Sequence, residues 1–362
     1  MRHSIRSSST PVHKNLLAAS AAALVLLSAV FAGGSALAAP RVVATIKPLH
    51  SLVAAVMDGV AVPDLLIDGG GSPHGYQLKP SQAAALQDAD LVVWIGPELE
   101  GFMVKALGTI ATNAEALAMR DVEGVILRAP RAGGAFEQHR DAHDDATGHT
   151  DDDHGSDDDD HRYATSHAEE HAGHEGDEDD GHAHDDDHAD AIDPHLWLDP
   201  ENGRELLEAV AVALAKLDPD NRATYQANAE TQSERLAEIS ADIGSKLRPL
   251  EGQPYIVFHD AYHYFEARFG LTTAGAITIN PELKPGAERI AEIRDLIQRS
   301  DTVCVFSEPQ FAPGVIELVT EGTGARRGVI DPLGATLSPG PEMYGALLED
   351  MAATMETCLS DS

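Results

Sequence analysis

Imidazole is the side chain that points most directly to chemistry in this sequence. The chain carries 18 histidines: two in the first forty residues, eleven between 139 and 188, and five elsewhere, at His50, His74, His195, His259 and His263. Neutral imidazole is the commonest protein ligand for Zn²⁺, and three such groups converging on one point would bind the ion well. A single histidine reads more simply as a hydrogen-bonded turn or core residue, so position has to select among them. His74 stands in Gly71-Ser72-Pro73-His74-Gly75-Tyr76, and His195 in Asp193-Pro194-His195-Leu196-Trp197-Leu198-Asp199-Pro200. His259 closes the apolar run Tyr255-Ile256-Val257-Phe258. All three fall in turns that follow strand-like runs, where α/β proteins place ligands. Glycines around His74 let the backbone fold closely about an ion, and two Asp-Pro steps fix the turn that carries His195.

The other two histidines have simpler readings. His263 lies four residues after His259, in an HxxxH spacing that lacks the HExxH glutamate, and is expected at the surface. His50 follows Lys47-Pro48-Leu49 at a helix start, where capping or dipole compensation accounts for it. Glu308 and Asp199 are expected to be structural. The wide gaps between His74, His195 and His259 exclude a zinc finger, so their meeting depends on the fold.

The elements that must position these groups alternate in type. Short apolar, β-branched runs at 42–46, 91–95 and 125–127, then at 255–258, 276–279, 303–306 and 328–330, read as strands. Helical patterns such as 285–299 and 341–359 separate them, which is the signature of α/β architecture with parallel sheets. Two lobes are expected, 39–217 and 249–362. A long helix over 218–248 would join them, with Asp218 as N-cap, Pro219 at N1 and a stop before Pro249. A helix of that length, on the order of 40 Å, would tie the lobes stiffly and restrict hinge opening.

Composition adds the compartment. Arg2, Arg6 and Lys14 precede an almost wholly apolar stretch, Leu16 to Phe31, and Ala36-Leu37-Ala38 offers a cleavage site. This is the profile of a secretory signal over 1–38, too short for the roughly 20 residues that span a bilayer. No cysteine follows closely enough for a lipid anchor, so a soluble exported protein is expected. The net charge of −35 excludes nucleic acid as a partner and favours cations. Much of it sits in an island over 131–191, where residues 137–190 hold 22 acidic side chains against two arginines. With few aliphatics and no periodicity, the island reads as a disordered insertion in the first lobe. Its eleven histidines, His139, His143, His149, His154, His161, His167, His171, His174, His182, His184 and His188, are expected to serve as a weak accessory metal store, with a solvated loop as the alternative. Cys304 and Cys358 are the two cysteines. An even count in an oxidising compartment points to a disulfide, with two buried thiols as the alternative.

The segments GSPHGYQLKPSQ, LVVWIGPELEGFM, DPHLWLDP, VFHDAYHYFEARFGL, NPELKPGAERIAEIR, VCVFSEPQF and DPLG occur in that order. With them the chain resembles the zinc-specific periplasmic binding proteins of ABC uptake systems, the ZnuA type, over essentially everything after the signal except the island. The resemblance implies two (β/α) lobes joined by a rigid helix, with transported Zn²⁺ held in the cleft by His74, His195 and His259. It also implies a Cys304–Cys358 disulfide and docking of a monomer on an ABC permease. Asp331 matches the position that supplies a carboxylate in manganese-binding relatives and is a candidate fourth ligand, with water as the alternative. Those relatives place glutamate where this chain has His259, and nitrogen donors favour zinc over Mn²⁺. A secreted zinc hydrolase, with Glu308 or Asp331 as general base, and a metal buffer or adhesin without a transporter are the rival readings.

Overall fold

A computed structural model describes residues 38–68, 70–136 and 191–360, with Met1, His3 and Ser4. The signal-like stretch and the histidine-rich island lie almost wholly outside the described residues. Among the described residues, those from Pro40 onward form one compact unit.

Two four-stranded parallel sheets organise it. The first contains β1 (Val42–Ile46), β2 (Asp64–Ile67), β3 (Leu91–Trp94) and β4 (Glu115–Ala118), in the order β2-β1-β3-β4. The second contains β5 (Tyr255–His259), β6 (Gly275–Thr278), β7 (Cys304–Ser307) and β8 (Arg326–Val329), in the corresponding order β6-β5-β7-β8. The central strands read as unbroken apolar runs because both faces of a parallel sheet are covered. In β5 the faces alternate. Tyr255 and Val257 enter the main core, while Ile256 and Phe258 enter a separate cluster beneath α7 (Ala287–Arg299) and α8 (Gly314–Thr320). The period of two then returns His259 to the Tyr255 side, toward the other lobe.

Helices α1 (Lys47–Val56), α2 (Pro80–Gln87) and α3 (Gly101–Thr109) belong to the first sheet, and α4 (Pro200–Leu217) follows the island. The long helix of the linking segment is α5 (Arg222–Leu247), 26 residues, preceded by a single 3₁₀ turn over Pro219–Asn221. Asp218 does not cap it directly. Its carboxylate accepts from Asn221 Nδ2 and from the buried Tyr225 hydroxyl, tying the turn to the helix. α5 packs against α1, α4 and α9 (Met343–Leu359), so it is a structural member of the core rather than an exposed rod. One contiguous core includes β1, β3, α4, α5, α9 and the inner face of the second sheet. Among the described residues no helix is long and apolar enough to cross a membrane.

Two expectations change. Residues 125–127 do not form a strand, because the Asn202 side chain satisfies both the N–H and the C=O of Ile126. The fourth strand of the first sheet is Glu115–Ala118 instead. The segment after it crosses to the second lobe: Arg131 pairs with Asp260 and Glu266, and Arg289 donates to the Ala135 carbonyl. Gly275 lacks a side chain for that reason, since a Cβ there would lie 2.7 Å from that of Ala135. His50 is a core histidine, not a cap, with Nε2–H donating to the Pro63 carbonyl at 3.0 Å. Cys304 and Cys358 form a disulfide joining β7 to α9, with Cα atoms 5.9 Å apart.

Candidate metal centre

Three elements deliver one imidazole each to the seam between the sheets. His74 comes from the loop after β2, whose turn is braced by the His74 N–H donating to Ser72 Oγ at 3.3 Å. A Cβ at Gly75 would meet the Glu282 side chain at 3.3 Å, so this loop lies against the loop that follows β6 in the other lobe.

His195 lies on the return from the island. Asp199 accepts from the Glu201 N–H, caps α4 and is gripped by both Nε and Nη2 of Arg268 at 2.7 and 2.8 Å. Trp197 is locked by its indole N–H donating to the Pro332 carbonyl at 2.8 Å. These contacts fix the short turn that starts at His195. His259 is held by the backbone of β5 itself.

The rings meet. Their centroids are 5.2 Å apart for His195 and His259, 5.4 Å for His74 and His195, and 5.8 Å for His74 and His259. One ring nitrogen from each lies within 4.8 Å of the others, the only such grouping of metal-ligating side chains among the described residues. His195 and His259 are each 4% exposed, and His74 is partly buried. The space before them is about 20 Å³, room for about one water-sized particle. Ser72, Trp197, Phe311, Pro332 and Leu333 contribute to its wall.

Two carboxylates stand behind the rings. His195 Nδ1 is 2.7 Å from Asp193 Oδ1, and His259 Nδ1 is 2.6 Å from Glu308 Oε1. A carboxylate accepts, so each Nδ1 carries the proton and each Nε2 presents a lone pair. Those two Nε2 atoms face each other at 3.2 Å. Burial, reinforced by the charges of His195 and His259, pushes His74 down to about 2. Burial and His259 hold His195 well below 6.5. His74 and His195 are therefore held neutral, which leaves ring nitrogens able to bind a metal cation.

Asp331, the candidate fourth ligand, is not in this grouping. Its carboxylate accepts from the backbone N–H groups of Leu333, Gly334 and Ala335 and from Gln310 Nε2 at 2.5 to 3.1 Å, so it builds the turn after β8. His263 is not a surface group; its half-buried ring lies 3.7 Å from Asp193 Oδ2. Asp199 is structural, as expected. Glu308 was read as structural and Asp193 only as part of a turn. The one sequence signal for their proximity to the site is that Glu308 directly follows a strand and Asp193 stands two residues before His195. The eleven island histidines lie outside the described residues.

The family described as ZnuA, zinc-uptake complex component A periplasmic, matches residues 42–358. A Brucella suis protein named "High-affinity zinc uptake system protein ZnuA" is 44% identical over 341 residues, covering 93% of this chain and 98% of its own. A Yersinia pestis protein of the same name is 35% identical, covering 89% and 92%. A crystal structure of ZnuA superposes with a TM-score of 0.66 at 22% identity, covering 89% of this chain and all of the other, which shows a shared fold. The match reaches across most of the length of both partners, and the chain belongs to the ZnuA family.

Proposed function

We propose that this chain is an exported receptor that captures Zn²⁺ between its lobes and presents it to the membrane permease of an ABC importer. The ligands are His74, His195 and His259, and zinc is the cargo. Residues 1–38 direct export and are then removed. The observation that carries the reading is the apposition of two Nε2 lone pairs 3.2 Å apart, with a third imidazole within reach. Two nitrogens bound to one tetrahedral zinc at about 2.0–2.1 Å are themselves roughly 3.3 Å apart, so the pair already has the spacing of ligands. An all-nitrogen set favours zinc over Mn²⁺.

The cavity of about 20 Å³ also speaks for an ion rather than an organic solute. A hydrolase would need a general base aimed at metal-bound water. Glu308 is committed to His259 and Asp331 to its turn, which supports a receptor over an enzyme. Calorimetry of the metal-stripped protein should show one tight Zn²⁺ site and a much weaker response to Mn²⁺. His259→Ala should weaken zinc by about 100-fold or more, at least the effect of losing a ligand's outer partner. Tight binding that survives this substitution, or turnover of ester or phosphate substrates at one equivalent of zinc, overturns the reading.

A further inference from the structure

The three imidazoles are not equivalent. Two are backed by carboxylates that are more deeply buried than most charged side chains in a protein: the Asp193 side chain is 4% exposed and that of Glu308 1%. Burial of an anion is costly unless its environment compensates, and the imidazole N–H is part of that compensation for each. Both carboxylates are also immobilised. The Asp193 backbone N–H donates to the Arg128 carbonyl at 2.8 Å, and its own carbonyl accepts from Tyr264 at 3.0 Å. Asp193 Oδ1 takes the His195 backbone N–H as well as the ring N–H. Glu308 leaves β7 directly and faces the buried Tyr262 hydroxyl. His74, by contrast, has a backbone contact to Ser72 but no hydrogen bond to its ring among those described.

We propose that Asp193 and Glu308 are positioning residues that hold His195 and His259 as a preformed, Nε2-presenting pair, leaving His74 to complete coordination when the ion arrives. This rests on the reading of the three imidazoles as ligands. Each carboxylate selects the tautomer, fixes the ring plane and raises the basicity of the coordinating nitrogen.

The test uses the full chain, metal-stripped. In long-range ¹H–¹⁵N spectra of the wild type, His195 and His259 should carry their protons on Nδ1, a measurement that needs no variant. Protons on Nε2 in the metal-free protein overturn the proposal. Asp193→Asn and Glu308→Gln keep an acceptor oxygen and remove the charge, and each should weaken Zn²⁺ by about 10–100-fold. Glu308→Leu should in addition abolish the Nδ1–H preference of His259, with Glu308→Gln rescuing it. A merely structural role would lower the melting temperature without moving tautomer or Co²⁺ absorption. Zinc affinities of the Asn and Gln variants within about twofold of wild type overturn the proposal. Failure of the ligand reading is seen separately, as His259→Ala binding zinc like the wild type.

Discussion

The two sheets share a strand order but spend their strand ends differently. β1 ends at Ile46 and runs straight into α1 at Lys47, whereas β5, its counterpart in the second sheet, ends in the ligand His259. After β3 come Ile95 and Gly96, whereas Glu308 follows β7 directly. The first lobe uses its strand ends for bracing. Lys47 Nζ donates to the carbonyls of Gly334, Ala335 and Leu337 at 3.0 to 3.2 Å, across the seam. Glu100 accepts from Thr45 and from the Ile95 and Gly96 amides, locking β1 to β3. The second lobe uses the same places for an imidazole and its carboxylate. The comparison teaches that side-chain identity decides whether equivalent strand ends brace or bind: the second sheet sets His259 and Glu308 there, while His74 and His195 reach the same seam from loops.

The comparison can be broken most forcefully through the disulfide, which only the second lobe has. Removing it with Cys304→Ala and Cys358→Ala frees a loop of 54 residues' separation, worth about 4 kcal/mol in the chain-entropy account. Denaturant melts of the zinc-free protein should show that loss. Hydrogen exchange should locate it in β7, β8 and α9 more than in β1 and β3. Equal loss of protection in both sheets would mean that the shared core makes the lobes one cooperative unit.

A smaller effect, about 3 kcal/mol, is expected from Lys47→Met, the upper end of what a hydrogen bond to a charged group contributes. Thermal melts should register it while calorimetry still finds one zinc equivalent. Loss of the equivalent would show that the first lobe's brace is part of the binding apparatus. Smallest is the effect of Glu100. Burial pushes its carboxyl up from 4.5 to about 7, so the folded chain keeps a proton that the unfolded chain releases. The associated stability is complete below about 4.5 and is lost as pH rises through about 7. Glu100→Gln should be more stable than wild type by on the order of 2 kcal/mol above that pH, with the difference shrinking on acidification. A constant difference across the range would place the origin outside this titration.

Legibility followed burial. β1, β3, β5 and β7 were readable because strands covered on both faces are apolar at every position. The edge strands were less so: β6 and β8 were read at 276–279 and 328–330, the latter two residues late because β8 begins with two arginines, and β4 was missed because Glu-Ala-Leu-Ala favours helix by composition. Val125-Ile126-Leu127 has strand character but is paired by the Asn202 amide, a partner 76 residues away that no local pattern reveals. The helix breaks around Pro200 and Pro219 were signalled by proline after aspartate, whereas the packing of α5 into the core was not.

For the site the division is similar. His74, His195 and His259 could be singled out in sequence because turn residues and strand ends leave local marks in glycine, proline and apolar runs. Their mutual distances, the facing Nε2 atoms, the removal of Asp331 into a turn and the placement of Asp193 and Glu308 were decided by tertiary structure alone. Local sequence sets backbone conformation over a few residues, and it therefore determined which chemical groups this protein offers. Distances across a seam depend on how two sheets and the helices between them pack, and that packing selected which of those groups meet.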